Sequence, residues 1–310
     1  MTTTPAIVAA ATATPVRDRW LVRVWRNRSG RVGLVVVAFL TLCVLVSALD
    51  LTPFAPTAQH SADRFTPPSR QYWLGTDQFG RDVASRIAAG ILASLRVAIV
   101  AVALATLVGG LCGIIAGFFG GWTDRIIARV TDVMFAFPAI LLALAIVAAL
   151  GRGWINTAIA IAVVYTPIFV RVARGPVLSV REMDYIKAGR VLGYNSRRLL
   201  SRHVLPNVAA PLIVQVALAL SWAILTESGL SFLGLGTQPP EPSLGLMVSE
   251  ARALFAQAWW LLVFPSLAIV LAVIGLNLLG DGLRDVLDPT RAAPARRSER
   301  RRFRSPAKLP

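Results

Sequence analysis

Long uninterrupted apolar runs alternate along this chain with short charged stretches, and six of the runs approach the about 20 residues that a helix needs to cross a bilayer. They fall at about 32–50, 97–119, 133–150, 154–173, 208–233 and 259–280. The runs are continuous and lack the strict alternation of barrel strands, so helices that satisfy their own backbone groups are the predicted spanning elements. The pattern predicts an all-α membrane protein with six transmembrane helices. It divides the chain into a cytoplasmic tail and interfacial helix over 1–31, a first transmembrane helix over 32–50, an external loop over 51–96, a five-helix core over 97–289 and a basic, disordered tail over 290–310.

Composition agrees: 55% of the 310 residues are hydrophobic and the mean hydropathy is +0.64. The net charge of +16 would suit a nucleic-acid partner, but its distribution points to a membrane. Of the 32 Lys and Arg, 25 fall before the first run, after the second, between the fourth and fifth and after the sixth; the alternate loops hold 7. The positive-inside rule then places both termini and the segment 181–206 in the cytoplasm, and makes membrane lipid, not nucleic acid, the large-scale partner. The arginine-rich tail by itself leaves nucleic acid or anionic lipid open. Arg17 to Arg31, with Trp20 and Trp25, suits a helix at the inner interface, and the first span is expected to stay in the mature protein, since Ser47-Ala48-Leu49 is a poor cleavage site. Cys43 and Cys112 lie in apolar runs and read as small hydrophobic residues; His60 and His203 fall on opposite sides, and no metal site is expected.

The segment Arg181–Pro206 sits between two apolar runs and carries Arg181, Lys187, Arg190, Arg197, Arg198 and Arg202. Each would cost about 2.5–3.5 kcal/mol at a bilayer centre, so the segment belongs in water. Tyr185, Ala188, Val191 and Leu192, then Leu199 and Leu200, recur at helical spacing; Gly189 and Gly193 loosen the middle and Asn195-Ser196 offers a cap. The pattern reads as two short amphipathic helices joined near Gly193 and closed by Leu205-Pro206, although spacing alone favours an ordinary basic cytoplasmic loop. Elsewhere Gly109, Gly113, Gly117 and Gly121 recur one turn apart and suit close helix packing, with a pore lining as the alternative. Pro138, Pro167, Pro211 and Pro265 each stand near one end of a predicted span, as entry-turn prolines or hinges. Glu227 is the acidic residue inside an apolar run, a candidate for the solute pathway or a carboxyl hydrogen-bonded to a neighbouring helix. Neither G-x-x-x-x-G-K-S/T nor G-x-G-x-x-G occurs, so no ATP site or catalytic centre is expected on this chain.

Four segments carry a resemblance. Ala188-Gly189, Gly193 and Leu205-Pro206 fall where the EAA loop of ABC importer permeases has its Ala-Ala, Gly and Leu-Pro, with Lys187 in place of the leading Glu and His203 in place of an Ile. Leu74 to Asp82, LGTDQFGRD, Thr226 to Gly236, TESGLSFLGLG, and Leu278 to Pro289, LLGDGLRDVLDP, are similar to the C-type permeases of dipeptide, oligopeptide and nickel importers. The resemblance implies the type I ABC importer permease fold in a bacterial inner membrane, a homologous B-type permease, two ATPase subunits that bind ATP and Mg, and an external substrate-binding protein. It implies docking to an ATPase subunit by Lys187, Ala188, Gly189 and Gly193, with Leu205 and Pro206 fixing the helix entry. A self-contained secondary transporter or channel, and a membrane anchor, are the alternatives.

Overall fold

The computed structural model describes residues 20–287, and the expectations for 1–16, for the first residues of the basic interfacial stretch and for the tail 290–310 lie outside them. A short helix α1 (Trp20–Arg26) turns at Asn27 into α2 (Arg28–Ala48), the first spanning helix. Asn27 makes the corner: its Oδ1 accepts from the backbone of Ser29, 3.0 Å, and its Nδ2 donates to Asp285, 2.8 Å. That bond ties the start of α2 to the end of the last helix, α11 (Trp260–Leu287). The two run antiparallel and touch through glycine: a Cβ on Gly33 would meet the backbone of Leu278 and Leu279, and one on Gly275 would strike Val36. In lipid no hydrophobic drive brings helices together, so such close backbone approach supplies the packing energy.

The central pair is α3 (Val83–Phe119) and α6 (Trp154–Arg181), which run parallel. Gly109, Gly113 and Gly117 of α3 meet Phe169, Ala173 and Val177 of α6 in step; a Cβ on Gly109 would lie 2.5 Å from the Thr166 carbonyl oxygen, and one on Gly117 2.8 Å from Val177 Cβ. Gly121 does not join this face. The helix has ended at Gly120, and Gly121 sits at φ +58° with nothing within 4 Å of its missing side chain. Its part in the glycine repeat is a backbone one, turning the chain out of α3.

α3 begins at Val83, well before the apolar run at 97, because Asp82 caps it, accepting from Ser85 N at 2.8 Å and Ser85 Oγ at 2.7 Å. Residues 83–96 of the expected external loop are thus helix, with Ser85, Arg86 and Ser94 buried against protein. The apolar stretch expected as a single span over 133–150 is broken. α4 (Gly121–Phe135) and α5 (Ala139–Leu150) meet at 94°, and Pro138, in extended backbone at the start of α5, has no N–H to continue the first helix. Five described helices are therefore long and apolar enough to cross a membrane, six if the bent pair counts as one. Pro167 stands in the middle of α6 and not near its end, since that helix runs on to Arg181.

Beyond α6 come α7 (Asp184–Val191) and α8 (Ser196–Leu199), then a wide turn over Leu200–Val204 that opens into α9 (Leu205–Phe232). α10 (Leu244–Ala251) follows on the far side and leads into α11. Among the described residues there is no strand, only one isolated bridge between Thr76 and Asp82. The main core joins α3, α5, α6, α9, α10 and α11; a second, smaller one gathers Ile114, Phe118, Ala173, Val177, Ile186, Leu199, Val204 and Val208 where α3 and α6 end against α7 to α9.

Candidate functional site

At the far end of α6 the chain leaves the apolar zone and doubles back. α7 is short because Gly193, at φ +77° with its N–H on the Arg190 carbonyl oxygen at 3.0 Å, turns the chain in a conformation that costs other residues about 1–2 kcal/mol. Asn195 starts α8, its Oδ1 accepting from Arg197 N at 3.3 Å. α7 is pinned by Ile186 and Gly189; a Cβ on Gly189 would stand 3.0 Å from Leu199. The opposite stripe, Tyr185, Ala188, Val191 and Leu192, which spacing marked as apolar, is exposed, with Val191 88% and Leu192 72% accessible. Lys187 is exposed beside them and pairs with Glu182 at 3.4 Å. Hydrogen bonds from Arg181 first and Lys187 second hold the Glu182 carboxyl below the usual carboxylate range. Lys187, Ala188, Gly189 and Gly193 therefore share one hairpin, whose most exposed residues, Val191 and Leu192, the sequence reading left off the site. Their signal was available: two large aliphatic residues beside a glycine in an otherwise charged segment.

Leu205 and Pro206 do not close this hairpin with a break. Pro206 cannot donate to the carbonyl four residues back, the ladder widens through Leu200–Val204, and Asn207 Nδ2 donates to the His203 carbonyl oxygen at 2.6 Å. Ser196–Phe232 is thus one helical rod of 37 residues. One face of that rod lines two open grooves. The first, about 640 Å³, lies between α9 and α11 and includes Asn207, Pro211, Val214 and Arg284; the second, about 500 Å³, lies between α5, α6 and α9 and includes Ile140, Tyr165, Phe169, Trp222 and Thr226. They share Gln215 and Leu218, so the face is continuous along the helix. Tyr165 and Thr226 hydroxyls are 2.9 Å apart across the second groove.

Glu227 lines neither groove. One residue on from Thr226, it points about 100° away around the helix. It is fully buried, its Oε1 accepting from Ser231 Oγ at 2.6 Å. Sequence reasoning weighed it as a pathway group; the structure places it on the packed side of α9.

On the opposite end of the molecule, Leu74 to Asp82 forms a tight knot. Gly75 and Gly80 take positive φ, and Asp77 Oδ1 accepts from Phe79 N at 2.8 Å and Arg81 N at 3.0 Å while its Oδ2 accepts from Arg81 Nε at 2.6 Å. Arg86, 2% exposed, lies 3.6 Å from Asp77 and 3.5 Å from Glu250 of α10. Trp260 Nε1 donates to the Thr76 carbonyl oxygen at 3.2 Å. Two buried arginines and two carboxylates thus fasten this segment to α3, α10 and α11.

Five helices long and apolar enough to cross a membrane, with a hairpin on one end, a braced polar knot on the other and a grooved face between them, define a multi-pass membrane component. Comparison with known proteins gives the same class and makes it particular. Residues 109–292 match the family model described as binding-protein-dependent transport system inner membrane component, and the chain belongs to that family. It is 44% identical over 265 residues to the dipeptide transport system permease protein DppC of Alkalihalophilus pseudofirmus, covering 85% of this chain and 86% of that one. It is 41% identical to the glutathione transport system permease protein GsiD of Pectobacterium atrosepticum, covering 93% and 96%, and 42% identical to the di/tripeptide permease DppC of Pseudomonas aeruginosa, covering 89% and 92%. In fold it is similar to a chain of the MetNI methionine ABC transporter, TM-score 0.54 at 15% identity, covering 66% of this chain and 96% of that one. The fold is that of the type I ABC importer permeases, in a multi-pass inner-membrane subunit. The relatives are named as components of transport systems, which does not favour a self-contained carrier or channel.

Proposed function

We propose that this chain is the C-type permease of a peptide-class ABC importer. It forms the translocation pathway with a homologous B-type permease, takes its drive from two cytoplasmic ATPase subunits that carry ATP and Mg, and receives cargo from an external substrate-binding protein. Both termini and the segment 181–206 face the cytoplasm. Lys187, Ala188, Gly189 and Gly193 form the coupling hairpin, with Leu205 and Pro206 at its exit and Val191 and Leu192 as the apolar tip that an ATPase groove would cover.

The observation that carries this reading is the continuity of Ser196–Phe232: its first turn belongs to the hairpin and its grooved face runs on to Tyr165 and Thr226. Displacement at the hairpin passes to that face through continuous helix, across the widened turn at Leu200–Val204. The groove wall mixes aromatic and aliphatic side chains with the hydroxyls of Tyr165 and Thr226 and the amide of Gln215, a mixture suited to short peptides, which carry backbone amides and varied side chains together.

The test is to purify the chain from its native membrane with associated subunits and to reconstitute uptake. Co-purification of an ATPase and a second permease, with peptide uptake that requires ATP, supports the proposal; flux through this chain alone overturns it. Gly193→Pro is expected to abolish uptake while ATP hydrolysis persists, because proline cannot adopt the positive φ found there. Uptake per ATP at the unaltered rate in that variant would count against the coupling assignment.

A further inference from the structure

α4 is an amphipathic helix with one face fastened and the other bare. Asp124 takes Arg174 of α6 in a bidentate pair, 2.5 and 2.8 Å, and Asp132 takes Arg171 at 2.9 Å. The two aspartates are eight residues apart, about 12 Å along α4, whereas the two arginines are three apart, about 4.5 Å along α6. α4 therefore crosses α6 steeply instead of climbing beside it, consistent with its 94° angle to α5.

The level of this crossing follows from α6. Trp154, at the start of that helix, is stacked by Arg96 at 4.1 Å, an aromatic and a charge that suit one membrane margin. From Trp154 to Arg171 and Arg174 is about 26–30 Å of helix, which is the thickness of the hydrocarbon layer. α4 thus lies at the other margin. Its unfastened face carries Trp122, Ile126, Val130 and Val133, spaced four, four and three residues apart; all are exposed, Trp122 at 73%. Arg125 and Arg129 flank that stripe on one edge, both exposed, and among the described residues neither has a carboxylate partner. Arg125 lies over the Trp122 ring at 4.8 Å.

We propose that α4 lies in the plane of the bilayer interface at the hairpin end of the subunit, its apolar stripe in the acyl-chain boundary and Arg125 and Arg129 on anionic phospholipid headgroups. An apolar stripe edged by unpaired arginines, at interface depth and across the helix from its own ion pairs, has the charge and shape of a lipid-facing helix. Only the choice of leaflet rests on the topology proposed above.

The test uses the full importer in vesicles of phosphatidylcholine and phosphatidylglycerol, with Cys43→Ala and Cys112→Ala and a nitroxide at Ile126→Cys or, if that chain does not assemble, at Val133→Cys. Collision with oxygen is expected to exceed collision with a water-soluble nickel chelate, at a depth of about 5–10 Å below the headgroups. Low collision with both, as when the second permease covers the stripe, overturns the proposal, and so does high collision with the nickel chelate. Independently, spin-labelled phosphatidylglycerol is expected to be retained over phosphatidylcholine, with a loss of about fivefold in that preference for each of Arg125→Gln and Arg129→Gln. Equal retention before and after substitution would overturn the headgroup assignment. If the topology is wrong instead, an impermeant maleimide will reach Arg129→Cys from outside intact cells while the collision depths stay as stated.

Discussion

The two ends of this molecule are built by opposite rules. At the Leu74–Asp82 end, charge is buried: Asp77, Arg81 and Arg86 are all less than a tenth exposed and, with Glu250, hold the knot to α3 and α10. At the hairpin end, charge is in water: Lys187 and Glu182 pair in the open and α7 is held by little beyond Ile186 and Gly189. A buried ion pair adds little net stability over a well-packed apolar alternative but punishes loss of one partner, so it fixes geometry. An exposed pair contributes almost nothing to holding its segment in place. The difference separates a rigid frame from a loosely tethered hairpin within one chain.

The largest effect is expected from breaking the frame. Asp77→Ala leaves Arg81 and Arg86 buried with one carboxylate fewer and should cost about 3–5 kcal/mol, read as a lower unfolding midpoint of the solubilised subunit. Next comes the shaft between the two ends. Gly113→Leu drives a side chain into the Val170 carbonyl oxygen and Ala173, parting α3 from α6 at a cost of about 1–3 kcal/mol by the same measurement. Val191→Asp with Leu192→Asp should leave the midpoint within about 0.5 kcal/mol, since both are exposed, yet remove ATPase association in pull-down. A drop in midpoint matching that of Asp77→Ala would erase the comparison.

The smallest effect sharpens it. The Glu182 carboxyl is held low by Arg181 and Lys187, so the stabilisation that it lends is present above the ordinary carboxylate range and is lost as pH falls through its lowered value. On acidification from neutrality the protection factors of 184–191, corrected for intrinsic exchange, should stay level until below that ordinary range and then fall. Residues 75–95 should exchange more slowly than 184–191 at every pH where the fold persists.

Much of this was legible because lipid imposes a crude code: five of the six predicted spans fall on single helices to within two residues, and the hairpin of α7 and α8 fell where Gly193 and Asn195 foretold it. What was not legible has separate causes. Val83 to Arg96 read as loop because the apolar run begins only at 97, but the helix starts earlier and its Arg86 is neutralised by protein contacts that lie 9 and 164 residues away in Asp77 and Glu250. The 133–150 run read as one span because its hydropathy is unbroken, while Pro138 bends it sharply. Val191 and Leu192 were legible as members of an apolar stripe but not as its exposed tip, since spacing says which residues share a face and not which face is covered. Glu227 drew attention as a charge in an apolar run; its neighbour Thr226, chemically quieter, is the one on the groove.

The unbroken rod from Ser196 to Phe232 has a mechanical corollary. Its 37 residues extend about 55 Å, so pivoting it by only 5° carries the far tip through about 5 Å, roughly the width of a peptide backbone. A small tilt of this one helix would thus shift its ends by a distance that matters to a short peptide, with no residue changing its secondary structure.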